Sequence, residues 1–191
     1  QVADALSAGA VDGQAGGDDG GGGCLDAYPG QVLISEIFFW PTGVEAPVGC
    51  FVELINTSGE ALKLEEWILS DGQGSTAALD LPEGVAIQPG IPLVISLSDD
   101  GQSQAWLSPA RVVEGFPSSA RVLELHAGEV LVDRVDFSTE DWPVQAGASL
   151  SLDPEHLSYA GNDQAEHWCA SESEFGGGLL GSPGAENPGC P

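Results

Sequence analysis

Positive charge is what this chain lacks most: its 191 residues hold 4 Lys+Arg against 30 Asp+Glu, a formal net charge of −26 at pH 7. Nucleic-acid binding rests on neutralising phosphates with cations, and Lys63, Arg111, Arg121 and Arg134 are too few and too scattered to do it. An anionic membrane surface repels the chain for the same reason. Long apolar runs are also missing, which excludes a membrane-spanning helix, so no membrane insertion is expected. Methionine is absent and no signal-peptide pattern opens the chain, so Gln1 reads as the start of a mature or trimmed chain.

Catalytic signatures are missing as well. There is no G-x-S-x-G elbow, P-loop, H-E-x-x-H or dinucleotide glycine fingerprint. The only imidazoles are His126, His156 and His167, and the last two stand eleven residues apart, which is no metal-ligand spacing. Enzymatic activity is therefore not expected, and neither is a cofactor. Calcium is the one ion the composition invites, through acid-rich turns at Asp12–Asp19, Asp99–Asp100 and Asn162–Asp163. No EF-hand loop or G-G-x-G-x-D repeat organises those acids, so they read as a solvated acidic surface.

What is present points to a folded β protein. Hydrophobic residues make up 42% of the chain, charged residues only 18%, and there are five tryptophans, which is not the composition of a disordered acidic chain. Gly 27 and Pro 13 suit short strands joined by many turns. From Gln31 the runs QVLISEIFF, CFVELINT, WILSD, GVAIQ, PLVISL, ARVLELH, EVLVDRVDF and ASLSLD alternate with turn clusters such as NTSGE, SDGQGS and HAGE. Period-2 patterning places Leu123 and Leu125 on one face, and groups Leu131, Val135 and Phe137 opposite Val130, Val132 and Arg134. Seven or eight strands at this spacing predict an antiparallel β-sandwich, with no helix of useful length after Gly30 and an irregular closing tail over 153–191. Trp67 should fill the core with Val52, Leu54, Leu69 and Ile95. Trp168 is expected against a disulfide. Trp40, Trp106 and Trp142 lie beside prolines or loops, where one or two of them would face a partner.

The four cysteines, Cys24, Cys50, Cys169 and Cys190, form no C-x-x-C and read as two disulfides of an oxidising compartment. Of the three connectivities available, the sequence-local pairs Cys24–Cys50 and Cys169–Cys190 are expected. Residues 1–30 stand apart as an extension: VADALSAGAV is small and apolar, and DGQAGGDDGGGG after it is linker by composition. Residues 31–191 form the sandwich and its stapled tail.

Four stretches carry a family resemblance. VLISEIFF, FVELINTSGEALKLEEWILSDG, IQPGIPLVISL and the ending ASLSLDP…GNDQAEHWCASES…GSPGAENPGC together resemble the lamin tail domain in its bacterial extracellular branch. The resemblance implies an immunoglobulin-like β-sandwich that binds and assembles and has no active site to carry over. It leaves the N-terminal extension outside its pattern.

Two functions fit this reading. The first is an extracellular fibre or surface-layer subunit that polymerises with itself, using Val2, Ala3, Ala5, Leu6, Ala8, Ala10 and Val11 to dock on a neighbouring subunit as a strand or a short helix. The second is a monomeric cell-surface binding or adhesion module with the extension as a stalk. Both place the chain outside the cell or on its surface.

Overall fold

The computed structural model describes residues 27–78, 86–107, 110–113 and 115–191. The apolar runs of the sequence become strands β1 (Val32–Phe38), β2 (Phe51–Asn56), β3 (Trp67–Ser70), β5 (Leu93–Ser96), β7 (Val122–Ala127), β8 (Val130–Asp136) and β9 (Leu150–Leu152). Short strands β4 (Thr76–Ala78) and β6 (Ala110–Val112) complete two sheets: six strands in the order β10-β9-β1-β2-β5-β6, and four in the order β4-β3-β7-β8. Here β10 spans Trp168–Ala170. All pairings are antiparallel except β5 with β6. The chain is an immunoglobulin-like β-sandwich.

The core lies between the sheets. Trp67 is buried there with Val52, Leu54, Leu69 and Ile95, joined by Ile37, Leu64, Leu125, Val135 and Leu150. Aromatic rings close one end of it: Phe137 packs edge-on against Trp40 and Trp142, and Trp142 lies 5.6 Å from Trp168. Trp142 is thus a core residue, not a partner-facing one. Trp40 and Trp106 are half-buried, Trp40 under the Arg121 guanidinium at 5.1 Å.

Several expectations need correction. GVAIQ makes no strand in its described part; Ile87 forms a single bridge to Leu62. The tail after Asp153 is more regular than its glycines and prolines suggest: it adds β10 to the large sheet and a hairpin of β11 (Glu174–Gly176) and β12 (Leu179–Leu180). A six-residue helix α1 (Gly101–Trp106) forms where Asp100 accepts hydrogen bonds from the Gln102 and Ser103 amides and caps its first turn. The pattern of β8 breaks at a bulge: Leu125 pairs with Asp133 and His126 with Leu131, so Val132 is the extra residue. Val132 therefore turns into the core, fully buried, where strict alternation had set it opposite Val135 and Phe137.

The large sheet is covered on its outer face too, which is why every residue of β1 is buried. Phe38, Phe51 and Val94 pack there under Leu107, Leu179, Phe175 and Trp106. Trp106 lies flat on Gly176, where an added Cβ would stand 2.5 Å from the indole.

Candidate functional site

A second bulge builds the chemistry of that outer face. Ile34 pairs with Leu54 and Glu36 with Glu53, leaving Ser35 as the extra residue of β1. The bulge lets Ile34 and Ile37 face the core while Ser35 and Glu36 both turn outward, beside Glu53 of β2. Two carboxyl groups thus sit side by side, at 0% and 1% exposure.

Such groups persist in the interior only with hydrogen-bond partners. Glu36 Oε1 accepts from Ser149 Oγ, from Ser151 Oγ at 3.2 Å and from the Ser182 amide at 2.8 Å. Its Oε2 accepts from Ser182 Oγ at 3.3 Å. Glu53 accepts from Ser35 Oγ at 2.9 Å and from the Gly184 amide at 2.8 Å. Burial raises the Glu36 carboxyl against the downward pull of those donors. Burial and the neighbouring Glu36 push Glu53 up to about 8.

Residues 182–187 form a strap over this pair. Asn187 accepts from Ser182 Oγ and donates to the carbonyls of Ser35, at 2.8 Å, and Leu152, at 3.1 Å. The Cys169–Cys190 disulfide fixes the strap beyond it, and Asp153 Oδ2 accepts from the Cys190 amide. Replacing Asn187 by Leu leaves both carbonyls without this donor and is expected to cost about 1–3 kcal/mol in urea denaturation. A loss below about 0.5 kcal/mol would mean that the strap is not held here.

Beside the strap opens a cleft of about 500 Å³. Its floor is Ser35, Glu53 and Ile55; Ile91 and Pro92 wall one side, and Pro154 and Leu157 the other. Ile91 is 59% exposed, the most of any large apolar side chain among the described residues. An apolar concavity with a few polar groups at its base is the usual form of a binding site.

A third buried carboxyl closes the sandwich. Asp133 Oδ2 accepts from the Ile34 amide and from Asn162 Nδ2, both at 2.7 Å, and so ties β8 to β1. Burial raises Asp133 to about 7 against these donors. The structure also brings His156 and His167 face to face, with ring centroids 3.6 Å apart, in a contact their spacing did not announce.

Of the residues singled out from sequence, Cys169 and Cys190 are joined. Cys50 is a buried thiol pushed up to about 12 by that burial; its expected partner Cys24 lies outside the described residues. Val2, Ala3, Ala5, Leu6, Ala8, Ala10 and Val11 lie outside them too, as does the Asp12–Asp19 turn. In the other two acid-rich turns, Asp100 caps α1 and the Asn162 amide is committed to Asp133. Among the described residues no group of three or more His, Cys, Asp or Glu is placed to hold a metal ion.

Glu36, Glu53 and Asn187 were not singled out from sequence. The available signal was a glutamate in the middle of each of two mostly apolar strands, LISEIFF and FVELIN.

A family model described as Lamin Tail Domain matches residues 26–139. The match contains β1 to β8 and both glutamates; the donors from Ser149, Ser151 and the strap lie beyond it. No curated protein matches the chain.

Proposed function

The chain belongs to the lamin tail domain family, and on that premise we propose that it is a non-enzymatic structural subunit of an extracellular fibre or surface layer, in which residues 2–11 of one copy dock on the next. The family is one of immunoglobulin-like modules without catalytic activity. The observation that carries the reading is a separation within the chain. Every described strand of both sheets begins at or after Val32, while the apolar decapeptide Val2–Val11 sits ahead of a glycine-rich spacer. A segment given by one copy to the next is a heterologous contact that does not close, and it propagates into a filament. The Cys169–Cys190 disulfide supports an oxidising location outside the cell or on its surface. Among the described residues no helix is long and apolar enough to cross a membrane.

Copies carrying −26 repel one another, so screening by salt or divalent cations should strengthen assembly. The test is sedimentation velocity at low and high salt on the intact chain and on Leu6→Asp. The intact chain should form salt-promoted polymers, and the variant should remain a folded monomer; polymers from the variant would defeat the reading. The open cleft favours one second reading, a monomeric adhesion module that takes a foreign apolar ligand there. It expects a monomer at every salt concentration.

A further inference from the structure

The proposed assembly requires an acceptor surface, and we propose that it is the cleft between Ile91 and Leu157, occupied by the Val2–Val11 segment of a second copy. This rests on the self-docking reading above and names its receiving site.

The outer face of the large sheet is covered as far as the strap. Trp106, Phe175 and Leu179 cover Phe38 and Phe51, and the strap covers Glu36 and Glu53. Past the strap, whose residues 184–187 line the cleft as well, Ile55 is only partly buried and Ile91 stands exposed at the lip. A partly open concavity with apolar walls and a few polar groups is the usual form of a contact site.

The extension joins the sandwich near this cleft. Gly30 O accepts from Thr57 Oγ1, two residues beyond the floor residue Ile55, and Gly30 packs on Tyr159, two residues beyond the wall residue Leu157. The segment matches what the cleft offers. Leu6 is its largest side chain, and the alanines around it permit close approach.

The spacer reaches a second copy. Residues 12–26 extend up to ~50 Å when stretched. A domain of this size is roughly 40 Å across, so the segment of one copy can lie in the cleft of a neighbour.

The experiment uses the full chain. A benzophenone amino acid replaces Ala8, heavy-isotope and light chains are mixed in equal amounts under polymerising salt, and cross-linked peptides are mapped after irradiation. Ile91→Glu is compared in parallel; Ile91 is mostly exposed, so its melting temperature should match that of the parent. Expected are cross-links between heavy and light chains at residues 90–92 or 152–157, and at least about a tenfold rise in the concentration needed for half-assembly of Ile91→Glu. Heavy–light cross-links elsewhere, with Ile91→Glu assembling normally, would overturn the cleft and leave self-docking standing. Cross-links to the cleft within one chain only would overturn the second copy as occupant. No assembly and no cross-link between chains would overturn both readings.

Discussion

The folded chain is expected to gain stability as the pH falls from 8 to about 5, by on the order of 3 kcal/mol, or roughly 10 °C in melting temperature. Three carboxyls set the direction. Burial raises Glu36, burial and Glu36 raise Glu53 from 4.5 to about 8, and burial raises Asp133 from 3.8 to about 7. Each therefore holds its proton to a higher pH folded than unfolded. Within that window the native state binds more protons, so stability falls as pH rises. This contribution is complete below the unfolded values and is lost as the pH passes about 7 for Asp133 and about 8 for Glu53.

A limit appears on the acid side. Burial acts upward on Asp100, but the hydroxyls of Ser103 and Ser98 and two backbone amides outweigh it and bring the carboxyl to about 2. The Ser138 hydroxyl likewise holds Asp136 low, with Arg134 assisting against burial. A lowered group stabilises above its unfolded value and loses that contribution as pH falls toward its folded one. The optimum should therefore fall at roughly pH 4 to 5, acidic of the range in which most proteins are most stable.

Loss of surface repulsion also favours folding at low pH, because the chain carries −26 at neutrality. High salt separates the two effects: it screens the exposed acids but reaches Glu36, Glu53 and Asp133 much less. The gain should persist in 0.5 M salt, and Glu53→Gln should flatten it. The glutamine carbonyl can still accept from the Gly184 amide, while its NH₂ donates to Ser35 Oγ, which accepts as readily as it donates. Thermal unfolding between pH 4 and 9 tests this; an unchanged slope in Glu53→Gln would remove the carboxyl pair as its source.

Strand positions were legible because period-2 alternation is a local property. LELH and FVELIN announce which side chains enter the core, and Leu123, Leu125, Val52 and Leu54 do so. The two bulges were not legible, because inserting one residue depends on the partner strand. They are also what builds the site: the Ser35 bulge turns Glu36 to the outer face, and the Val132 bulge aligns Asp133 with the Ile34 amide. The strap was hidden for a related reason. GSPGAENPGC has no periodicity, and its order comes from Asn187, Ser182 and Gly184 finding carbonyls and carboxylates at least 131 residues away in β1 and β2. The cysteine pairing that staples it was visible, since it joins neighbours in sequence.

The hydrophobic core is expected to depend most on one of those legible residues: Trp67→Ala should cost about 3–5 kcal/mol. Trp67 opens β3, pairs with Ala127 of β7 and is 6% exposed. Its packed cluster joins β1, β2 and β5 of one sheet to β3, β7 and β8 of the other. Truncation removes the apolar surface that the indole buries and leaves a cavity that two hydrogen-bonded sheets cannot collapse to fill. Trp67→Phe, which keeps a ring and fills part of the volume, should cost less than half as much. Trp40→Ala is the comparison, because Trp40 is half-buried at the end of the same core and its cavity would open to water. Guanidinium denaturation of the three variants should rank Trp67→Ala as the most destabilised by at least about 1 kcal/mol. Equal losses in Trp67→Ala and Trp40→Ala would move the centre of the core to the aromatic end, around Phe137 and Trp142.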